Sequence, residues 1–270
     1  MLRTRVITAL ILAPSIIAAI YLLNTTALGA VLAIFTGLAA WEWGPLARIH
    51  STSYRLLYVF AALLITLLFW VAGTASPVLW LLAVVWVVAL IGVLSWPESA
   101  SWIAKPAVVG AIGLLVLPGV VIALLAVHQL PSGPHWLLFG LLICWAADIG
   151  AYFAGKSLGR HKLAVEVSPG KTWEGAIGGM LLAVAVCSGI LVYAGVFDWI
   201  WIPALVLLVA ISIVGDLFES LLKRASGIKD SGSLFPGHGG VLDRIDSILA
   251  VAPFWALWAL WALAVPPQSV

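Results

Sequence analysis

Apolar runs about twenty residues long follow one another from Arg5 almost to the end of this chain, with only short polar connections between them. About 20 apolar residues is the length at which a helix crosses the hydrocarbon core of a bilayer. Of the 270 residues, 64% are hydrophobic and 9% charged. A water-soluble domain is about half apolar and a quarter charged, so a soluble globular enzyme, a disordered chain and a disulfide scaffold are all excluded. The runs are continuous rather than alternating, which excludes an outer-membrane β-barrel. The expected fold is all-α, a polytopic membrane protein of about nine spans. The runs lie near 5–23, 28–43, 54–72, 77–95, 103–127, 135–154, 174–195, 200–222 and 246–264. The first reads as an uncleaved helix rather than a signal peptide, because its apolar stretch runs on to Leu23 with no cleavage site leading into a polar chain. Pro118-Gly119 predicts a kink in the fifth. Cys144 and Cys187 lie within apolar runs, so no disulfide is expected.

Cationic residues concentrate on the cytoplasmic side of membrane proteins. With nine spans and a cytoplasmic N-terminus, all 13 Lys and Arg residues fall on inner segments: Arg3, Arg5, Arg48, Arg55, Lys105, Lys156, Arg160, Lys162, Lys171, Lys223, Arg224, Lys229 and Arg244. The outer connections hold none. The expected topology is therefore N-terminus in, C-terminus out. An N-terminal transmembrane bundle (1–140) would precede a catalytic transmembrane region (141–270) with cytoplasmic loops at 155–173 and 223–245.

The stretch from Asp148 to Asp246 carries nine of the 11 acids and eight of the 13 bases, and all of these but Asp198 lie on those two loops and the helix ends around them. Asp148 and Asp216 each sit six residues inside an apolar run, about 9 Å below its end. Ionisable groups at such depth are costly unless they face a polar cavity. Gly150 to Ser157 matches P-loop spacing, but it lies in an apolar helix and lacks the strand-loop-helix context that cradles phosphate. In Ser168-Pro-Gly-Lys171-Thr172-Trp-Glu-Gly, the Pro-Gly pair predicts a turn, and Thr172 or Ser168 can cap a helix beginning near Trp173. Lys171 then has two readings: part of an anion site at a helix N-terminus, or a snorkelling side chain at the interface.

The densest stretch runs from Ser220 to Asp246. Asp216, Glu219 or Ser220, and Lys223 share a helix face, and so do Asp243 and Asp246. Carboxylates this close repel unless a cation joins them, and an oxygen-only set favours Mg²⁺ over zinc. Lys223, Arg224, Lys229 and Arg244 suit phosphate oxygens, while Gly237, Gly239 and Gly240 allow backbone amides close to an anion. His238 either binds phosphate or orders the loop.

The order Ser-x-x-Lys-Arg, four residues, Lys-Asp, then Pro-x-His-Gly-Gly-x-x-Asp-Arg-x-Asp resembles the signature of phosphatidate cytidylyltransferases (CDP-diacylglycerol synthases) over 27 residues. The Asp148 region, the Ser168–Gly175 stretch and Asp216 resemble that family too; the half before about residue 140 carries little that is diagnostic. The resemblance implies transfer of the cytidylyl group of CTP to phosphatidate, giving CDP-diacylglycerol and pyrophosphate. It implies Mg²⁺ held by Asp216 and Asp243, with Asp246 and Asp148 as ligands or supporting groups. Lys171, Lys223, Arg224, Lys229 and Arg244 would grip the phosphates, and Ser168, Ser220, His238, Gly239 and Gly240 would complete substrate binding. The expected partners are CTP, phosphatidate and the bilayer, with room for a homodimer and no nucleic acid. The expected location is a bacterial inner membrane, with the active site facing the cytoplasm. Two alternatives stand beside this reading. A secondary transporter would use Asp148 and Asp216 as coupling sites, but no inverted repeat is visible. A CDP-alcohol phosphotransferase would need a longer aspartate pattern than Asp243-Arg-Ile-Asp246 offers.

Overall fold

The computed structural model describes residues 2–73, 75–232 and 239–264. Its helices are α1 (Leu2–Leu22), α2 (Thr25–Leu46), α3 (Thr52–Ala72), α4 (Ala75–Leu94), the single turn α5 (Ala100–Ile103), α6 (Pro106–His128), α7 (Gly133–Leu158), α8 (Trp173–Tyr193), α9 (Trp201–Ser226) and α10 (Leu242–Ala264). A short hairpin of β1 (Lys162–Ala164) and β2 (Ser168–Thr172) sits between α7 and α8. Among the described residues the fold is thus all-α apart from that hairpin. Among the described residues, eight helices are long and apolar enough to cross a membrane: α2, α3, α4, α6, α7, α8, α9 and α10. The first apolar run is also helical throughout, as α1.

Helix α6 is the centre of the bundle, with 72% of its most apolar stretch buried, against 17% for the peripheral α3. Around it pack α2, α3, α4, α7 and α10, and α10 lies along α9. The exposed Leu57, Phe60, Leu64, Leu67 and Val71 of α3 form an apolar coat, which suits a surface solvated by lipid rather than water. Pro118 is accommodated inside an uninterrupted α6. Both cysteines are buried and unpaired, as expected.

The helices extend beyond the apolar runs at the polar end. Helix α7 continues to Leu158, so the first long connection begins only at Gly159 and is largely a hairpin. Helix α9 continues to Ser226 and takes Lys223 and Arg224 with it; it stops at Gly227, whose φ of +74° allows Ile228 N–H to reach the Lys223 carbonyl at 3.0 Å. Helix α10 starts at Leu242, so Asp243 and Arg244 are helical. Capping groups, rather than the last apolar residue, decide where a helix ends. Both Asp148 and Asp216 therefore lie ten residues before their helix ends, about 15 Å down the axis. Their matched depth survives; its value increases.

The packing of α7 on α8 explains the glycines in both. A Cβ added at Gly150 would stand 2.6 Å from the Gly178 carbonyl oxygen, and one at Gly179 would stand 2.6 Å from that of Ala147. The two backbones touch, as small residues permit between membrane helices. The Gly150–Ser157 segment is helix throughout, so it cannot cradle a phosphate with loop amides.

Candidate active site

Tertiary contacts gather the charged segments at one end of the bundle. The Arg48 guanidinium donates to the Ala225 carbonyl at 3.1 Å, and Arg224 Nε donates to the Val167 carbonyl in the hairpin at 3.3 Å. The opposite end is aromatic and carries no Lys or Arg among the described residues: His128 bridges Thr25 and the Ile20 carbonyl, and Trp136 stacks on Trp201.

The hairpin is fastened at several points. Thr172 caps α8, accepting from Gly175 N–H at 3.1 Å. The Glu174 carboxylate accepts from the Arg160 and His161 amides and meets His161 Nδ1 at 2.6 Å. Trp173 N–H donates to the His161 carbonyl at 2.9 Å. The result is a rigid arm that carries Lys171 over α9, where its ammonium pairs with the Asp216 carboxylate. Lys171 therefore turns inward, and the snorkelling reading is set aside.

Beneath this pair lies a cavity of about 330 Å³ between α7, the hairpin, α8 and α9, lined by Asp148, Tyr152, Lys156, Lys171, Thr172 and Asp216 among others. The Asp148 carboxylate opens toward the cavity and repels that of Asp216, while Asp246 on α10 lies near enough to repel both. Lys156 adds a second ammonium at the rim, 3.3 Å from the Tyr152 hydroxyl.

A second cluster sits at the start of α10. Lys223 Nζ lies 3.1 Å from Glu219 Oε1, one helical turn away, and pairs with Asp243. Asp243 Oδ2 accepts from Gly240 N–H at 2.7 Å. Gly239 holds φ at +81°, and a Cβ there would stand 2.5 Å from Asp243 Oδ2, so the turn requires glycine. Leu242 N–H donates to the Glu42 carboxylate at 3.0 Å.

Of the residues singled out in the sequence, Asp148, Lys171 and Asp216 meet at the cavity, and Lys223, Asp243, Gly239 and Gly240 meet in the second cluster. Asp246 accepts from the Ser247 amide. Arg244 is exposed yet close enough to attract Asp148. Arg224 spends its Nε on the hairpin. Ser168 and Ser220 are half-buried away from the cavity lining, and Lys229 is exposed beyond the end of α9. His238 and Gly237 lie outside the described residues. Glu42 went unnoticed in the sequence, although it is the sole acid in the 22 residues of α2. The rule applied to Asp148 would have found it.

Among the described residues, no three His, Cys, Asp or Glu side chains converge closely enough to hold a metal ion as they stand. The Asp216 and Asp243 carboxylates each face a lysine ammonium instead. The donor chemistry nevertheless fits a hard divalent cation: Asp148, Asp216 and Asp246 are oxygen donors on three neighbouring helices whose mutual repulsion an ion would relieve.

Comparison with known proteins gives the family. The model of the cytidylyltransferase family matches residues 3–261. The chain is 43% identical over 265 residues to a phosphatidate cytidylyltransferase of Pseudomonas aeruginosa, covering 95% of this chain and 96% of that protein. It is 36% identical over 288 aligned residues to the phosphatidate cytidylyltransferase of Haemophilus influenzae, covering 95% and 98%. One from Staphylococcus aureus is 44% identical over 124 residues, covering 45% and 48%. A match spanning nearly every helix, including those that carry both charged clusters, leaves one conclusion: the chain belongs to the cytidylyltransferase family.

Proposed function

We infer that this protein transfers the cytidylyl group of CTP to phosphatidate, releasing pyrophosphate and forming CDP-diacylglycerol within a membrane. The observation that carries this reading is the cavity at the polar end of a membrane bundle, where Lys171 and Asp216 meet beside Asp148. A lipid headgroup can enter such a site while its acyl chains stay among the exposed apolar side chains. Neither a transporter nor a CDP-alcohol phosphotransferase is favoured by the family match.

The chemistry asks little of a general base. A phosphate monoester with a second pKa near ~6 is already largely dianionic at neutral pH. A phosphatidate oxygen attacks the α-phosphorus of CTP, a new P–O bond forms, and the bond from the α-phosphorus to the bridging oxygen breaks as pyrophosphate leaves. What must be supplied is charge neutralisation and alignment of two anions. Lys171 at the cavity and Lys223 beside Asp243 provide fixed ammonium groups, with Lys156 at the rim and Arg244 nearby. Mg²⁺ held by Asp216 with Asp148 and Asp246 in support, and with Asp243 as the further ligand that the family resemblance implies, would neutralise phosphate charge when bound.

The direct test is pyrophosphate release from CTP by the purified protein in detergent, dependent on phosphatidate and abolished by chelator. Release that is indifferent to phosphatidate would refute the reading.

We place the protein in a bacterial inner membrane with nine spans and the charged end in the cytoplasm. Support comes from the one-sided sorting of bases, which the Arg48–Ala225 and Arg224–Val167 contacts reproduce in space. A reporter fused after Ser269 is expected to be active only outside the cytoplasm. Activity only inside would overturn the odd span count.

A further inference from the structure

Glu42 is a buried carboxylate, 6% exposed, on a helix that otherwise carries no acid or base. Such a group is costly in a membrane bundle unless its charge and hydrogen-bonding capacity are met. Its partner is the first amide of α10: Leu242 N–H donates to Glu42 Oε2 at 3.0 Å. The opening amides of a helix have no acceptor within the helix, and they form its positive end. Glu42 thus acts as an N-terminal cap supplied from another helix, 200 residues away in sequence.

The backbone around it is shaped to fit. A Cβ placed on Gly232 would stand 2.6 Å from the Glu42 carboxyl carbon, and one on Gly240 would stand 2.7 Å from it. Both glycines are needed because the chain passes directly against this side chain on either side. Glu42 is itself held in place by its neighbour. Trp43 Nε1 donates to the Val109 carbonyl of α6 at 2.9 Å. That bond sets the rotation of α2, and the next residue in a helix projects about 100° away. One residue beyond the capped amide is Asp243, whose Oδ2 takes the Gly240 amide and whose Oδ1 pairs with Lys223.

We propose that Glu42 is a positioning residue for the reaction: by capping α10 and packing against Gly232 and Gly240, it sets the position of Asp243 and, through it, of the Lys223 ammonium. This inference rests on the function proposed above. Glu42 is not among the residues that line the cavity; it acts through the start of α10.

The test uses the full chain in detergent. Glu42→Ala is expected to lower kcat by about 10- to 100-fold, the range for loss of a buried charged hydrogen bond. KM for CTP and phosphatidate should stay within about threefold, since binding is not what is lost. Amides 241–245 should exchange hydrogen faster, while those of 109–113 in α6 should not. Glu42→Gln keeps an acceptor for Leu242 N–H and should recover most of the turnover. Gly232→Ala should also lower kcat, and the double variant Glu42→Ala/Gly232→Ala should be no worse than Glu42→Ala, because the obstructing carboxylate is gone. A kcat within about twofold of wild type for Glu42→Ala, unchanged exchange at 241–245, a Gln variant as impaired as Ala, or losses that multiply would each overturn the proposal. If Glu42→Ala cannot be isolated folded, Glu42→Asp, which retracts the carboxylate by one methylene, replaces it in the same pairing with Gly232→Ala, and multiplying losses again count against it. A wild-type protein that releases no pyrophosphate would refute the proposed reaction while leaving the exchange result to judge the cap.

Discussion

Asp243→Asn is expected to lower kcat/KM by about 1000-fold or more, equivalent to about 4 kcal/mol of transition-state stabilisation. The change keeps the size of the side chain, and an amide oxygen can still accept from Gly240 N–H. What it removes is charge, both toward Lys223 and toward any cation. Raising Mg²⁺ should restore activity only in part, because the lost charge also serves neutralisation in the transition state. The structure sharpens the companion experiment. Asp216 and Asp243 are 27 residues apart in sequence, and each carboxylate faces a different lysine, Lys171 and Lys223. If the two share one ion during turnover, Asp216→Asn combined with Asp243→Asn should cost scarcely more than either alone, since residues acting as one unit are strongly non-additive. Losses that multiply in well-inserted protein would mean that each aspartate works through its own lysine. Poor insertion, with residual activity indifferent to Mg²⁺, would point to structure alone.

Lys171→Met is expected to lower catalytic efficiency by roughly 30- to 1000-fold, corresponding to about 2–4 kcal/mol for one charge-assisted contact at the transition state. Its side chain is only 23% exposed and is paired with Asp216 at the cavity. The variant should insert and fold, because Thr172 and Glu174 hold the hairpin without it. Lys171→Arg keeps the charge but not the shape of the ammonium, and should lose less. Activity of the Met variant within about twofold of wild type would mean that the Lys171–Asp216 pair is an ornament of the substrate-free state rather than part of the reaction.

Much of this was legible in the sequence because membrane folding leaves few choices. A run of about 20 apolar residues must satisfy its own backbone, and a helix does so without partners. The candidate site was legible for a related reason: aspartates within such runs are too costly to be incidental, and Asp148 and Asp216 did meet at a cavity. Helix ends were less so. Hydropathy stops where charge begins, but Lys223 and Asp243 remain helical because Gly227 and the Glu42 carboxylate decide the ends of α9 and α10. The hairpin was not legible: the Pro169-Gly170 pair predicts a turn but lies within β2, and strands of three and five residues carry too short a pattern to show alternation.

Composition and the spacing of charges alone determined an all-helical membrane bundle, with one end that gathers the bases and one that lacks them, and drew attention to the charged residues at the basic end. They did so because transfer into lipid penalises each polar group one by one, whatever its neighbours. Only the tertiary structure decided which charges meet: Lys171 with Asp216, Lys223 with Glu219 and Asp243, Arg224 with the hairpin, and Glu42 with the first amide of α10. Such pairings depend on helix rotation and on contacts as close as those of Gly150 and Gly179, which arise between separate helices and leave no period in any one of them.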